Sequence, residues 1–192
     1  MKRSVYGVGY NSDKKNYNSK HKGYKTWSDM LKRCYCEKYH SYHRYGGNGV
    51  KVSNEWHDFA VFAHWFDKNY TKGYVLDKDL LKPQNKVYCE EFCRFIPKRL
   101  NVLLTSYKRK ENGLPCSVSK NKVTGKYKMV AVLDGKYKTK GGFNNPEDAF
   151  NHYKMLRQDY IINESSKMLT DSAINSEVHE AVTRWECPRY SL

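Results

Sequence analysis

The chain has 192 residues and carries 35 Lys and Arg against 20 Asp and Glu, a formal net charge of +15. Its length suits one ordinary domain or two small ones, and the cationic excess predicts a polyanionic partner, because each Lys or Arg on a phosphate releases a condensed counterion. No run approaches the ~18 apolar residues of a bilayer span, and Met1-Lys2-Arg3-Ser4-Val5-Tyr6 has no apolar h-region, so no membrane partner and a cytoplasmic location are expected.

Residues 1–22 are rich in Lys, Asn, Ser, Gly and Tyr with little aliphatic content, which predicts a flexible basic arm, either inert or following phosphates. Trp27, Met30, Leu31 and Cys34 then recur at i, i+3, i+4 and i+7, the apolar stripe of an amphipathic helix. Thr26 with Asp29 offers a capping-box start. Gly46-Gly47-Asn48-Gly49 demands a tight turn, readable as turn geometry alone or as a cradle for phosphate, and Val50-Lys51-Val52 as a short strand. Asn54 is the expected cap of a second helix with Trp56, Phe59, Ala60, Ala63 and Phe66 on one face. His57 and His64, seven apart, would share a side of it.

Gly73 closes that unit. Tyr74 to Leu81 alternates as a strand, which would put Asp77 and Asp79 on one face and Lys78 on the other. Pro83 to Lys86 is the expected turn, Val87-Tyr88 the return strand, and a helical pattern is expected from Glu90 through Phe95 and Ile96. Leu100, Leu103 and Leu104 resume an apolar helical face beyond Pro97.

The composition breaks at a basic linker from Ser106 to Gly113. Three strand-like stretches follow, around Cys116–Val118, Tyr127–Val132 and Lys136–Gly141, with Asp134-Gly135 as a hairpin signal. Asn145-Pro146-Glu147-Asp148 begins a helix marked by Ala149, Phe150, Tyr153, Arg157 and Tyr160. Candidate DNA contacts in this half are Lys108, Arg109, Lys110, Lys120, Lys122, Lys126, Lys128, Lys138 and Lys140, joined by Arg33, Arg44 and Lys51 from the first half. Val178, Ala181, Val182 and Trp185 form a last stripe, expected to pack on a domain or to form a homodimer through the C-terminal helix. Cys34, Cys36, Cys89 and Cys93 offer four thiolates for a structural Zn²⁺, although neither pair has the common two-residue separation, and packed thiols are the alternative.

Two blocks resemble the HNH-type homing endonucleases of tailed phages and their bacterial relatives. The first is Trp27-x-x-Met30-Leu31-x-Arg33-Cys34-Tyr35, then Tyr45-Gly46-Gly47-x-Gly49-Val50-x-Val52, Glu55-Trp56 and Phe59. The second is Gly73-Tyr74-x-Leu76-Asp77-Lys78-Asp79 through Cys93-Arg94-Phe95-Ile96-Pro97 and Asn101. The segment from Gly113 to about Tyr160 is similar to the AP2-like DNA-binding module that often follows such nucleases.

The resemblance implies an α+β fold. A basic arm (1–22) would precede an HNH-like ββα-metal hairpin module with flanking helices (23–105). An AP2-like three-stranded sheet plus helix (106–163) and a C-terminal helical segment (164–192) would follow. It also implies a phosphodiester hydrolase acting on double-stranded DNA with one Mg²⁺ or Mn²⁺, in the host cell cytoplasm if phage-encoded. Asp77, Lys78 and Asn85 would be the catalytic positions, and Asp77, Asp79 and Glu91 the metal ligands. Lys78 stands where the family has a histidine base, and Phe92 where it has a second ligand. A lysine with an unperturbed pKa of ~10.4 is a poor base at neutral pH, though as a cation it could stabilise a phosphate. The alternative is a catalytically degenerate HNH-fold protein that acts by binding DNA or another target, in a phage regulatory or counter-defence role.

Overall fold

Every apolar residue of the first predicted stripe lands in the interior of a computed structural model that describes residues 4–105 and 113–187. The chain divides into two units, Met1–Lys98 and Arg99–Leu192, and its mixed α+β content of 41% helix and 19% strand is distributed over small sheets.

In the first unit, α1 (Tyr24–Tyr35) buries Trp27, Met30, Leu31 and Cys34. Its N-cap is Gly23, three residues before the Thr26 cap expected from sequence. Gly23 is required there by packing, since a Cβ would stand 2.8 Å from the Phe66 ring. Two 3₁₀ turns, Tyr42–Arg44 and Gly46–Asn48, lead through left-handed Gly49 into β1 (Lys51–Val52). Asn54 precedes a further 3₁₀ turn, Glu55–His57, and does not cap the second helix. Asp58 does so, accepting from the Ala60 N–H at 3.0 Å at the start of α2 (Phe59–Asn69). His57 and His64 therefore lie on different elements. Trp27 donates its indole N–H to the Trp56 carbonyl at 2.8 Å, fastening α1 to that turn, and Phe59, Phe62, Ala63 and Phe66 complete the core.

From Val5 onward the expected flexible arm is instead tied down, Met1, Lys2 and Arg3 lying outside the described residues. Tyr10 donates to the His57 carbonyl at 3.0 Å and accepts from the Phe59 N–H at 2.8 Å, while Val5, Tyr6, Val8 and Tyr17 pack against the core. The physical reason is the tyrosine and valine content, which supplies enough apolar area to dock a segment that its charge alone would leave solvated.

Strand pairing also departs from the expected hairpin. β2 (Tyr74–Asp77) pairs antiparallel with β4 (Arg94–Pro97), whereas β3 (Val87–Tyr88) pairs in parallel with β1. The helical pattern expected from Glu90 is thus a turn followed by a strand. Phe95, stacked on Trp65 with ring centroids 5.3 Å apart, has the aromatic character a strand favours. α3 (Lys98–Leu104) follows β4 directly.

The second unit has an antiparallel sheet in the order β5–β6–β7: Val118–Lys120, Tyr127–Leu133 and Lys136–Phe143. Asp134 and Gly135 both take positive φ, 51° and 71°, as a tight primed hairpin requires. α4 (Pro146–Thr170) starts on Asn145, which accepts from the Asp148 N–H at 2.8 Å, and runs 25 residues through the expected boundary at 163/164. Its buried Ala149, Phe150 and Tyr153 meet Val118, Met129 and Ala131 of the sheet. Arg157, also buried, donates to the carbonyls of Leu103 and Thr105 at 2.7 and 3.1 Å. α5 (Ser176–Arg184) buries Val178, Ala181 and Val182 and packs on α4 of the same chain, with Trp185 against the core. The stripe that suggested a homodimer is therefore covered within the unit.

Candidate functional site

Asp77 is the last residue of β2, and its carboxylate ends the strand. Oδ1 accepts the backbone N–H groups of Asp79 at 2.9 Å and Leu80 at 2.7 Å, turning the chain so that Leu80 can bury. The strand that would have put Asp79 beside Asp77 and Lys78 opposite therefore stops too early. Lys78 instead folds inward, 8% exposed, and donates to Asp79 Oδ1 at 2.5 Å and to the Asn85 carbonyl at 2.7 Å.

Asn85, 5% exposed, stitches the loop together. Its amide N–H groups go to the carbonyls of Lys78 (2.9 Å) and Val87 (2.6 Å), and its Oδ1 accepts the Val87 N–H at 3.1 Å. Positive φ at Gln84 (60°) makes this return possible. The three expected catalytic positions thus do meet, but through bonds that hold the loop.

Burial raises the Asp77 carboxyl above its ordinary value, against the two backbone N–H bonds and Lys78, which pull it down. Among the described residues only Oδ1 of its two oxygens takes a hydrogen bond. Glu91 is exposed on the turn before β4, where its carbonyl, with those of Glu90 and Cys93, accepts from Arg94 Nη1. Phe92 lies on that same turn beneath the Lys82 ammonium, 4.5 Å from the ring centroid, and not on a helix. Of the carboxylates expected on Mg²⁺ or Mn²⁺, Asp77 ends a strand, Asp79 holds an ammonium and Glu91 faces solvent. Among the described residues no group of three or more His, Cys, Asp or Glu is placed to hold a metal ion.

The four thiols considered for zinc divide in the same way. Cys34 and Cys93 are core residues, and burial pushes each thiol up to about 12, so both are neutral near pH 7. Cys36 and Cys89 are half-buried.

Of the expected DNA contacts, Arg33 is half-buried, 5.5 Å from the Tyr45 ring centroid and hydrogen-bonded to Tyr88. Burial opposes its charge, and Tyr88, Tyr45 and Tyr39 more than restore it. Arg44 and Lys51 are exposed. In the second unit the cross-strand register separates the lysines. Lys138 and Lys140 pair with Ala131 and Met129, so they share the α4 side of the sheet and project from its β7 edge. Lys120, paired with Tyr127, does so from β5. Lys128 alone is on the open side, with Val130, Val132, Tyr137 and Thr139, and Lys122 and Lys126 lie in the β5–β6 loop. Lys108, Arg109 and Lys110 fall outside the described residues. Sequence reasoning missed the open face itself, although the alternation Lys128-Met129-Val130-Ala131-Val132 contained it.

Among the described residues no helix is long and apolar enough to cross a membrane. No family model, no curated protein and no solved structure matches this chain.

Proposed function

We propose that the protein binds double-stranded DNA on an HNH-like frame and acts by occupying it, without cleaving it. The observation that carries this reading is the Lys78 ammonium held between Asp79 and the Asn85 carbonyl. An internal cation there stands in for the charge that a metal would supply in a nuclease of this build, and its N–H groups are spent on two acceptors within the loop. The order β2, long loop, β4 and α3 supports the HNH-like part, with the helix now at Lys98–Leu104 and Asn101 upon it. The three-stranded sheet backed by one helix supports the AP2-like part. Its lysines project from edges and loops, positions suited to phosphates, while the open face offers Lys128, Thr139, Tyr137 and two valines to a groove.

A metal-dependent endonuclease is the second reading, and one observation favours it. Asp77 is a desolvated carboxylate whose second oxygen takes no hydrogen bond among the described residues, an arrangement a divalent cation would stabilise. Plasmid DNA incubated with the protein and Mg²⁺ or Mn²⁺ decides between them. The expected result is salt-sensitive binding to duplex DNA with the supercoiled form intact; metal-dependent nicking that Asp77→Ala abolishes would establish the nuclease.

A further inference from the structure

Between Tyr10 and Lys25 the chain carries Lys14, Lys15, Lys20, Lys22 and Lys25 against a single carboxylate, Asp13. All five lysines are exposed. None has a carboxylate within 4.0 Å among the described residues. Asp13 is engaged within the segment. It accepts from the Asn16 backbone N–H at 3.1 Å and side-chain amide at 2.7 Å, and those bonds hold its carboxyl below the ordinary value. Asp67, the α2 acid that reaches this segment, lies 3.0 Å from His21 Nε2.

The segment is also fixed in shape. Ser12 donates its N–H to Asp58 Oδ1 at 3.0 Å, and the Asn11 amide donates to the Tyr17 carbonyl at 2.7 Å. Asn18 Oδ1 accepts the Lys20 N–H at 2.9 Å, and the Tyr17 and His21 rings meet edge-on at 5.4 Å. Both ends are anchored, one at α2 through Tyr10 and the other at Gly23 under Phe66. A run of cations on a mobile tail loses conformational freedom when it settles on a polyanion; a run already held by the fold loses little.

We infer that this N-terminal strap is a preformed clamp for the phosphates of double-stranded DNA, a contact surface of the first unit additional to the sheet lysines of the second. The inference rests on the DNA-binding reading above. Exposed ammoniums with no carboxylate partner among the described residues bind phosphate oxygens, which are the same on every sequence, so the contact is independent of sequence.

The test is a salt titration of binding to a fluorescent duplex, using the full chain, with thermal melting of each variant to show that it is folded. Replacing Lys14, Lys15, Lys20 and Lys22 together by Ala should lower the slope of log K against log[salt] by roughly 3 to 4, at about 0.9 per phosphate contact. It should weaken binding by about 10- to 100-fold near physiological salt, equally on unrelated sequences. Asp13→Ala, which keeps every cation but unfastens the loop, should weaken binding several-fold with the slope unchanged. A quadruple variant with the wild-type slope overturns the clamp and leaves the DNA-binding reading standing. A wild-type protein with no salt-dependent binding to the duplex overturns both.

Discussion

Replacing Lys78 by Met tests the wiring of the loop directly. Met keeps the length of the side chain and its place beside the Tyr88 ring, whose centroid is 5.8 Å from the ammonium, and removes only the charge and its donors. Two bonds are lost, and they are unequal. Asp79 is half-exposed, with its side chain at 52%, so that ion pair is worth about 0–1 kcal/mol after solvent screening. The Asn85 carbonyl is buried within the loop, and a charged donor to such an acceptor contributes about 1.5–3 kcal/mol, largely because the acceptor is left unsatisfied when the donor goes. The expected loss is therefore about 2–3 kcal/mol, most of it through Asn85. In urea this moves the unfolding midpoint down by roughly 1 M, taking a slope of about 2 kcal/mol per molar. A double-mutant cycle with Asp79→Asn should give a coupling below about 1 kcal/mol. A Lys78→Met variant that unfolds at the wild-type midpoint would refute this wiring and mean the ammonium is free for a substrate. A coupling to Asp79 that accounts for the whole effect would refute it equally.

Asp77 gives a pH-dependent prediction. Its folded carboxyl sits above the ordinary 3.8, so the native state binds the proton more tightly than the unfolded chain. That contribution favours folding below the unfolded value and is lost as pH rises through the folded one. Asp77→Asn keeps an oxygen acceptor for the N–H groups of Asp79 and Leu80 and never ionises. It should therefore melt above wild type at pH 7, with the gain gone by about pH 3. If Asp77 held a divalent cation, saturating Mn²⁺ would reverse the order at pH 7, and the proposed metal-free wiring would be wrong. Alkylation followed by mass spectrometry should modify Cys36 and Cys89 well before Cys34 and Cys93, whose thiols burial keeps neutral. Equal protection of all four, relieved by a chelator, would instead indicate a shared zinc.

Much of the fold was legible where the signal is local. The 3.6-residue stripe of α1, the Asp134-Gly135 hairpin, the three strands and the Asn145-Pro146 helix start all formed at or near their expected positions. In each case neighbouring residues alone determine the outcome, through periodicity, positive φ or a capping oxygen. The errors cluster where the decision belongs to distant residues. Asn54 and Asp58 are both competent caps, and Asp58 won because Tyr10 and Ser12 of the N-terminal strap close on the residues around it. The pattern from Glu90 to Ile96 fits a helix on paper; it became a turn and a strand because β2 needed a partner along Tyr74–Asp77 and Phe95 filled a place against Trp65.

The sequence by itself determined the chemical character of this protein: a cationic α+β chain with an acidic pair, a lysine and an asparagine gathered near one turn. Composition and order suffice for that, because charge and residue type do not depend on packing. Only the tertiary structure decided what those groups do. The early end of β2 turned Asp77 into a backbone acceptor and drew Lys78 inward to Asp79 and Asn85. Docking of Tyr10 and Tyr17 turned a supposed tail into a fixed array of lysines. Both outcomes follow from the same physical fact: a buried polar group must find a partner, and which partner it finds is set by chain segments that sequence distance keeps apart.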